Sequence, residues 1–301
     1  SQDQHLARLL DGAADQSPRD PRIVKVAERI VGDAPKNDPK ERARRLYRWL
    51  VANVEDGREA DGRRVVIGKS GNRAAGFITL ARAIHLPLEL AAVKDAISAP
   101  PVGEIGEAFQ FDDLVLRLGG STGGTGTSAG ATPTTKTEPM YFTVGDKYAP
   151  FGFVPPELRG QPAIRLIPGL PRETTSNSGS FDGIVYEGSV ELRPDGSATL
   201  TLDQRFVGRL AMSLRGSVES MPDAQLKSAV EAKIVSRAFP GSRLADLTVV
   251  DKDDLDKPLT LRMKIEISNF ARRRGNQLLL KPPLVLQIAN MAPMEVRQTT
   301  M

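Results

Sequence analysis

The sequence predicts an α+β protein in two parts: a helix-rich half with an antiparallel sheet, then a smaller β-rich half with inserted helices. Three observations predict it. Apolar residues recur at helical spacing through most of the first 85 positions. Strand-like runs bounded by turn residues dominate after about residue 182. Between them, Pro171-Arg172-Glu173-Thr174-Thr175-Ser176-Asn177-Ser178-Gly179-Ser180 has linker composition. A chain of 301 residues is long enough for two cores. We place the domains at 1–170 and 182–301.

Ile23, Val26, Ala27 and Ile30 make the first helical stripe. Asp38-Pro39-Lys40-Glu41 is an N-cap, a proline at the first helical position and an acid in the first turn. From there Ala43, Leu46, Tyr47, Leu50, Val51 and Val54 form an apolar face, with Trp49, the only tryptophan, partly buried beside it. Gly57 to Gly62 is a polar turn and Val65-Val66-Ile67 a short apolar run. The spacing of Phe77, Ile78, Leu80, Ala81 and Ile84 predicts a helix from about Ala74 to His85. Strands follow at Leu88–Val93, Leu114–Leu118 and Met140–Val144. The Gly/Ser/Thr-rich segment 119–137 lies between two strands able to pair, so it reads as an enlarged, flexible hairpin loop.

In the second part, Val185–Leu192, the turn Pro194-Asp195-Gly196 and Ala198–Asp203 read as a hairpin. A helical region runs from about Arg209 to Phe239, broken at Pro222. Strands at Leu247–Val250 and Leu259–Ile267 close the pattern. In the last, Leu259, Leu261, Met263, Ile265 and Ile267 alternate with polar residues, which gives a sheet with one wet face. No internal repeat is visible.

Composition narrows the function classes. The formal charge of +4 is spread along the chain. Arg272-Arg273-Arg274 is the densest basic cluster, and without interleaved stacking aromatics it reads as a solvated strand edge, not a nucleic-acid surface. With no cysteine there is no disulfide, thiolate metal site or thiol nucleophile. No run approaches the roughly 18 apolar residues of a membrane span. The polar start at Ser1-Gln2-Asp3-Gln4-His5 has no signal-peptide pattern, and Pro293–Met301 has the texture of a strand interior. We expect a piece of a longer protein.

Several segments resemble the bacterial transglutaminase-like, papain-related proteins, over roughly residues 38 to 170. Gly68-Lys69-Ser70-Gly71-Asn72-Arg73 is similar to the family's Gly-Asp-Cys-Lys-Asp-Lys segment, whose Cys is the nucleophile of a Cys-His-Asp triad. Phe109-Gln110-Phe111-Asp112-Asp113-Leu114-Val115-Leu116 resembles the segment that delivers the histidine. Asp146-Lys147-Tyr148-Ala149-Pro150-Phe151-Gly152 and Pro155-Pro156-Glu157-Leu158-Arg159-Gly160 resemble the stretch that delivers the aspartate. Residues 182–301 resemble the β-rich domain of unassigned function that follows such cores. The resemblance implies a papain-like core and an extracytoplasmic, periplasmic setting.

Carried over, the triad positions are Ser70, Asp113 and Asp146, so only the aspartate is kept. A serine hydroxyl needs a well-placed base, and a carboxylate near pKa ~3.9 is a poor one. The two histidines do not replace it: His5 lies in a polar leader, and His85 ends a helix, where it meets the dipole. Asp112 and Asp113 point to opposite faces of a strand and do not converge with Asp146 on a metal. The resemblance thus implies a pseudoenzyme with a vestigial cleft at Ser70, Asn72, Asp113, Asp146 and Tyr148, needing no cofactor or metal. Its partner would be a protein or extended peptide. A Ser70-dependent hydrolase or acyl transferase, with the helix dipole steadying an oxyanion, and a purely structural module are the alternatives.

Overall fold

The computed structural model describes residues 20–96, 111, 113–119, 138–166, 172–176, 182–275 and 277–280. They form helices and antiparallel sheets, an α+β fold, in two compact units divided between Phe181 and Asp182. Residues 120–137 of the expected 119–137 loop, the strand-like C-terminal run, His5 and Asp112 lie outside the described residues.

Unit 1 begins with α1 (Pro21–Val31), capped by the Asp20 carboxylate, and α2 (Pro39–Asn53), capped by Asp38, which accepts from the Glu41 N–H at 2.9 Å. Ile23 and Ala27 of α1 and Leu46, Tyr47 and Leu50 of α2 are fully buried, and Trp49 is half-buried as its spacing predicts. The Val65-Val66-Ile67 run sits on a short helix of seven residues, α3 (Gly62–Gly68), with the two valines buried and Ile67 exposed. Helix α4 (Arg73–Ala83) packs against α1, α2 and α3. It ends with His85 in the left-handed conformation (φ 54°), while the Leu86 N–H donates back to the Ala81 carbonyl at 3.0 Å. That is the geometry of a helix stop more often built on glycine.

The sheet of unit 1 has the order β3-β2-β1-β4-β5, all antiparallel, from β1 (Leu88–Val93), β2 (Asp113–Leu118), β3 (Met140–Phe142), β4 (Pro162–Arg165) and β5 (Glu173–Thr174). β2 and β3 do pair, with Leu116 opposite Phe142. Directly opposed residues of antiparallel strands share a face. Phe142, Leu116 and Leu90 therefore share one, and Phe77 of α4 meets Phe142 edge-on with ring centroids 5.5 Å apart. The other face carries Ala91, Val93, Val115 and Tyr141, covered by Val154 and Leu158.

Unit 2 is a four-stranded antiparallel sheet of order β6-β7-β9-β8: β6 (Gly183–Leu192), β7 (Ala198–Val207), β8 (Arg243–Val250) and β9 (Leu259–Ile267). The predicted turn between β6 and β7 is present, with Gly196 at φ 86°. The helical region breaks at Pro222 into α5 (Arg209–Ser220) and α6 (Asp223–Val230); α6 continues through a π-helical stretch, Glu231–Val235, into α7 (Ser236–Ala238). Ala211, Val218, Leu226, Val230 and Val235 cover one sheet face, where Leu259, Leu261, Met263 and Ile265 are buried as their alternation predicts. The wet face carries pairs such as Arg262 with Asp203, two hydrogen bonds at 2.8 Å.

Arg215 of α5 is 3% exposed, and its guanidinium donates to the carbonyls of Asp251, Lys252, Asp254 and Lys257. It thereby organises the turn between β8 and β9. The Arg272–Arg274 cluster lies on β10 (Ala271–Arg274), paired with β11 (Gln277–Leu280) and exposed to solvent.

Candidate functional site

Ser70 sits on the link between α3 and α4. Lys69 ends α3 in the left-handed conformation (φ 54°), and Gly71 lies at φ 133°, where a Cβ would come within 2.6 Å of the Glu59 carbonyl. Backbone hydrogen bonds pin the link to the segment after α2: Glu55 N–H to the Lys69 carbonyl at 3.0 Å, Gly71 N–H to the Glu55 carbonyl at 2.9 Å, and Asn72 N–H to the Glu59 carbonyl at 2.8 Å. Ser70 is exposed, and its hydroxyl abuts the backbone of Gly57; a Cβ there would stand 2.9 Å from Ser70 Oγ.

Asn72 is committed to structure. Its side-chain oxygen accepts the Ala75 N–H at 3.1 Å and caps α4. Ser70 therefore stands two residues before the cap, outside the first helical turn, and one of the N–H groups of that turn already has a partner.

Arg73 is the residue that sequence reasoning missed. It is 7% exposed; its Nε donates to the Val54 carbonyl at 2.9 Å and its Nη1 to the Gly145 carbonyl at 3.2 Å. One guanidinium thus spans from the Ser70 side of α4 to the turn that carries Asp146. The signal was an arginine immediately before the expected apolar helix, at the position where the observed one begins.

Asp146 is exposed, and its carboxylate accepts the Tyr148 N–H at 2.7 Å, closing its own turn. The turn is anchored from beneath: the buried Tyr47 hydroxyl of α2 donates to the Ala149 carbonyl at 2.8 Å, and Phe151 packs on Tyr47 and Phe142. The Lys147 ammonium lies over the Tyr148 ring, 5.4 Å from its centre.

Asp113 does not join them. It opens β2 opposite Val93 and shares a face with Val115 and Arg117. The residues facing α4 are the alternate set, Leu114, Leu116 and Leu118. The structure therefore brings the Ser70 link and the Asp146–Tyr148 turn to one side of the sheet and puts Asp113 on the other. The five residues expected from the sequence to share a cleft are thus spread over both faces of the sheet by strand parity. The resemblance aligned residue types, whereas strand parity decides which face a side chain takes. His85 lies beyond the far end of α4, whose 11 residues at ~1.5 Å each separate it by about 16 Å from the Ser70 end.

The face that holds Asp113 also carries a buried charge cluster. Glu89 accepts from Arg165 Nε at 2.6 Å and from Arg117 Nη1 at 3.3 Å. Glu173 accepts from Arg117 Nε at 2.8 Å and from Arg117 Nη2 at 3.0 Å, and also receives the Tyr141 hydroxyl. Burial pushes the Glu173 carboxyl up, but the hydrogen bonds from Arg117 and Tyr141 and the charges of Arg117 and Arg165 outweigh it and leave it below its ordinary value. Burial, with the hydrogen bond to Glu173, raises the Tyr141 phenol to about 12. Every member has its opposite charge, so the cluster clamps β5 to the sheet and leaves no group poised for proton transfer.

Among the described residues no three His, Cys, Asp or Glu side chains gather as a metal site, and no helix is long and apolar enough to cross a membrane.

No protein-family model matches this chain, and no curated protein matches it. Among solved structures it is similar to a crystal structure of a "putative protease" from Parabacteroides distasonis, at 9% identity and a TM-score of 0.38. That match covers 89% of this chain and 53% of the other, so the chain spans about half the length of the protein it matches. Similarity this distant carries no argument about fold or activity.

Proposed function

We propose that the chain is a non-catalytic protein of transglutaminase-like type, acting in protein or peptide binding or assembly as part of a larger, extracytoplasmic protein. The observation that carries the proposal is the separation of Ser70 from Asp113. The residue standing at the position of a base lies on the sheet face away from α4, while the hydroxyl standing at the position of a nucleophile lies at the N-terminal end of α4. Proton transfer needs heavy atoms within about 3 Å or one bridging water. Asp146 and Asn72 each commit one side-chain oxygen, to a turn and to a cap.

Binding is supported by the surface around Ser70. Ile67, three residues earlier, is 53% exposed, the highest exposure among the large apolar side chains described. Ser70 and Asn72, three and five residues further on, are exposed as well. An apolar anchor with polar neighbours suits an extended peptide.

The test is amide hydrolysis and acyl transfer on a panel of peptides, by the full chain and by Ser70→Ala. We expect no turnover from either. Turnover by the wild type that Ser70→Ala abolishes would establish a serine enzyme and overturn the proposal. Binding is checked with a fluorescent extended-peptide library, where Ile67→Asp should lower affinity for any selected peptide by about tenfold, as expected for loss of a buried aliphatic anchor. Binding unaffected by that change would remove the site assignment.

A further inference from the structure

Among the described residues the four-stranded sheet of unit 2 has two edge strands, and they are built differently. β8 opens on Arg243 and carries a register shift between Leu244 and Asp246, both devices that discourage edge pairing. β6 has none of these. Its ten residues pair with β7 without a bulge, and they include no Lys, Arg or Pro. Residues 187–192 are all exposed, and three of the six exposed large apolar side chains described lie on this strand: Val185, Val190 and Leu192. Among the described residues β6 is hydrogen-bonded to β7 alone.

We propose that β6 pairs antiparallel with β6 of a second copy of this chain, joining two four-stranded sheets into one of eight strands. The inference stands on unit 2 and does not depend on the reading of the Ser70 region. The argument for a second copy is that the strand is complementary to itself. A two-fold axis normal to a sheet keeps each side chain on its own face, so opposed residues must be of like parity. Centred on Gly188, the pairing uses every residue of the strand but Gly183. It sets Ile184 opposite Leu192 and Tyr186 opposite Val190 on the face that carries the core, and Glu187 opposite Ser189 and Val185 opposite Glu191 on the wet face. Moving the axis by one residue either way is unfavourable: centred on Glu187 it sets two carboxylates face to face, and centred on Ser189 it opposes Glu187 and Glu191. The exposed apolar ends of each strand thus cover the half-buried apolar starts of the other.

Sedimentation velocity of the full chain over a range of concentrations should show a monomer–dimer equilibrium. Val190→Lys should weaken association at least tenfold, while Thr248→Lys, on the exposed face of β8, should leave it unchanged. Because the chain has no cysteine, single cysteines report the register. A mixture of Glu187→Cys and Ser189→Cys chains should form disulfide-linked dimers under mild oxidation, and each variant alone should not. A monomer at all concentrations, a dimer indifferent to Val190→Lys, or cross-linking of Glu187→Cys with itself as readily as in the mixture would each overturn the proposal. Dimers that persist with neither mutation nor cross-link touching β6 would assign the interface elsewhere. A Gly188 variant is no substitute, since a Cβ there would come within 2.8 Å of the Thr201 carbonyl of its own sheet.

Discussion

Arg117 and Glu173 show why single residues were the hardest part of this chain to read. In the sequence, Arg117 interrupts Leu114–Leu118 and Glu173 lies in linker-like composition, so each reads as solvent-facing. In the structure Arg117 is 5% exposed and donates three hydrogen bonds to two carboxylates. Which charges find each other depends on strand order, which brings Glu173 of β5 to Arg117 of β2, 56 residues earlier. Removing Arg117 leaves the Glu89 and Glu173 carboxylates to share Arg165 alone, so Arg117→Met should cost about 3–5 kcal/mol by chemical denaturation. The pH dependence follows from Glu173. Its folded-state carboxyl is held below the ordinary 4.5, so its contribution is complete above that value and is lost as pH falls from about 4.5 through the folded value. Glu173→Gln should therefore flatten the acid limb of the stability profile. Tyr141 acts at the other end: its phenol is raised to about 12, so the stability linked to it declines as pH rises from about 10 toward 12. A wild-type profile unchanged by Glu173→Gln below pH 5 would show that the cluster does not couple to folding.

Elements were far more legible, because periodicity and caps are local. Asp38-Pro39 starts α2 where the sequence puts it, β9 alternates as written, and Pro222 breaks the helical region. Three short strands escaped notice: β4 and β11, of four residues each, and β5, of two, are too brief for a period to register. The Val65–Ile67 run was ambiguous for the same reason and resolves as α3, whose position is fixed by close packing. Gly62 begins α3 where it meets α4, and a Cβ there would fall 2.0 Å from Thr79 Oγ1 and 2.4 Å from the Ala75 carbonyl. Gly62→Ala must push the two helices apart and should destabilise by about 1–3 kcal/mol, as overpacking does. Asn72→Ala removes only the α4 cap and should cost about 1 kcal/mol. A Gly62→Ala cost below that of Asn72→Ala would show that α3 shifts freely and that the Ser70 link is not held by this contact. The site was less legible than the helices flanking it. Motif likeness placed Ser70 and Asp146 on segments joined by Arg73, yet it counted Asp113 with them, because a one-residue difference in strand parity is invisible to residue type.

At the scale of the molecule, the sequence changes texture across Pro171–Ser180, and the structure divides between Phe181 and Asp182 into units with separate apolar clusters. Each unit also has its own buried arginine fixing a distant segment: Arg117 holds β5 in unit 1, and Arg215 holds the 251–257 turn in unit 2. Two cores with no shared residues need not melt together, so a single two-state description is not expected to hold. Calorimetry of the full chain should resolve two transitions. Arg117→Met should lower one of them, and Arg215→Met, which strips the turn carbonyls of their donor at a cost on the order of 3 kcal/mol, should lower the other. For units of this size each shift should be on the order of 10 °C. If both substitutions instead move one shared transition, the units unfold cooperatively, and β6 pairing would then be reported by the stability of the whole chain. If the transitions are separate, raising protein concentration should lift only the one that Arg215→Met lowers, since mass action stabilises the unit that carries the paired strand.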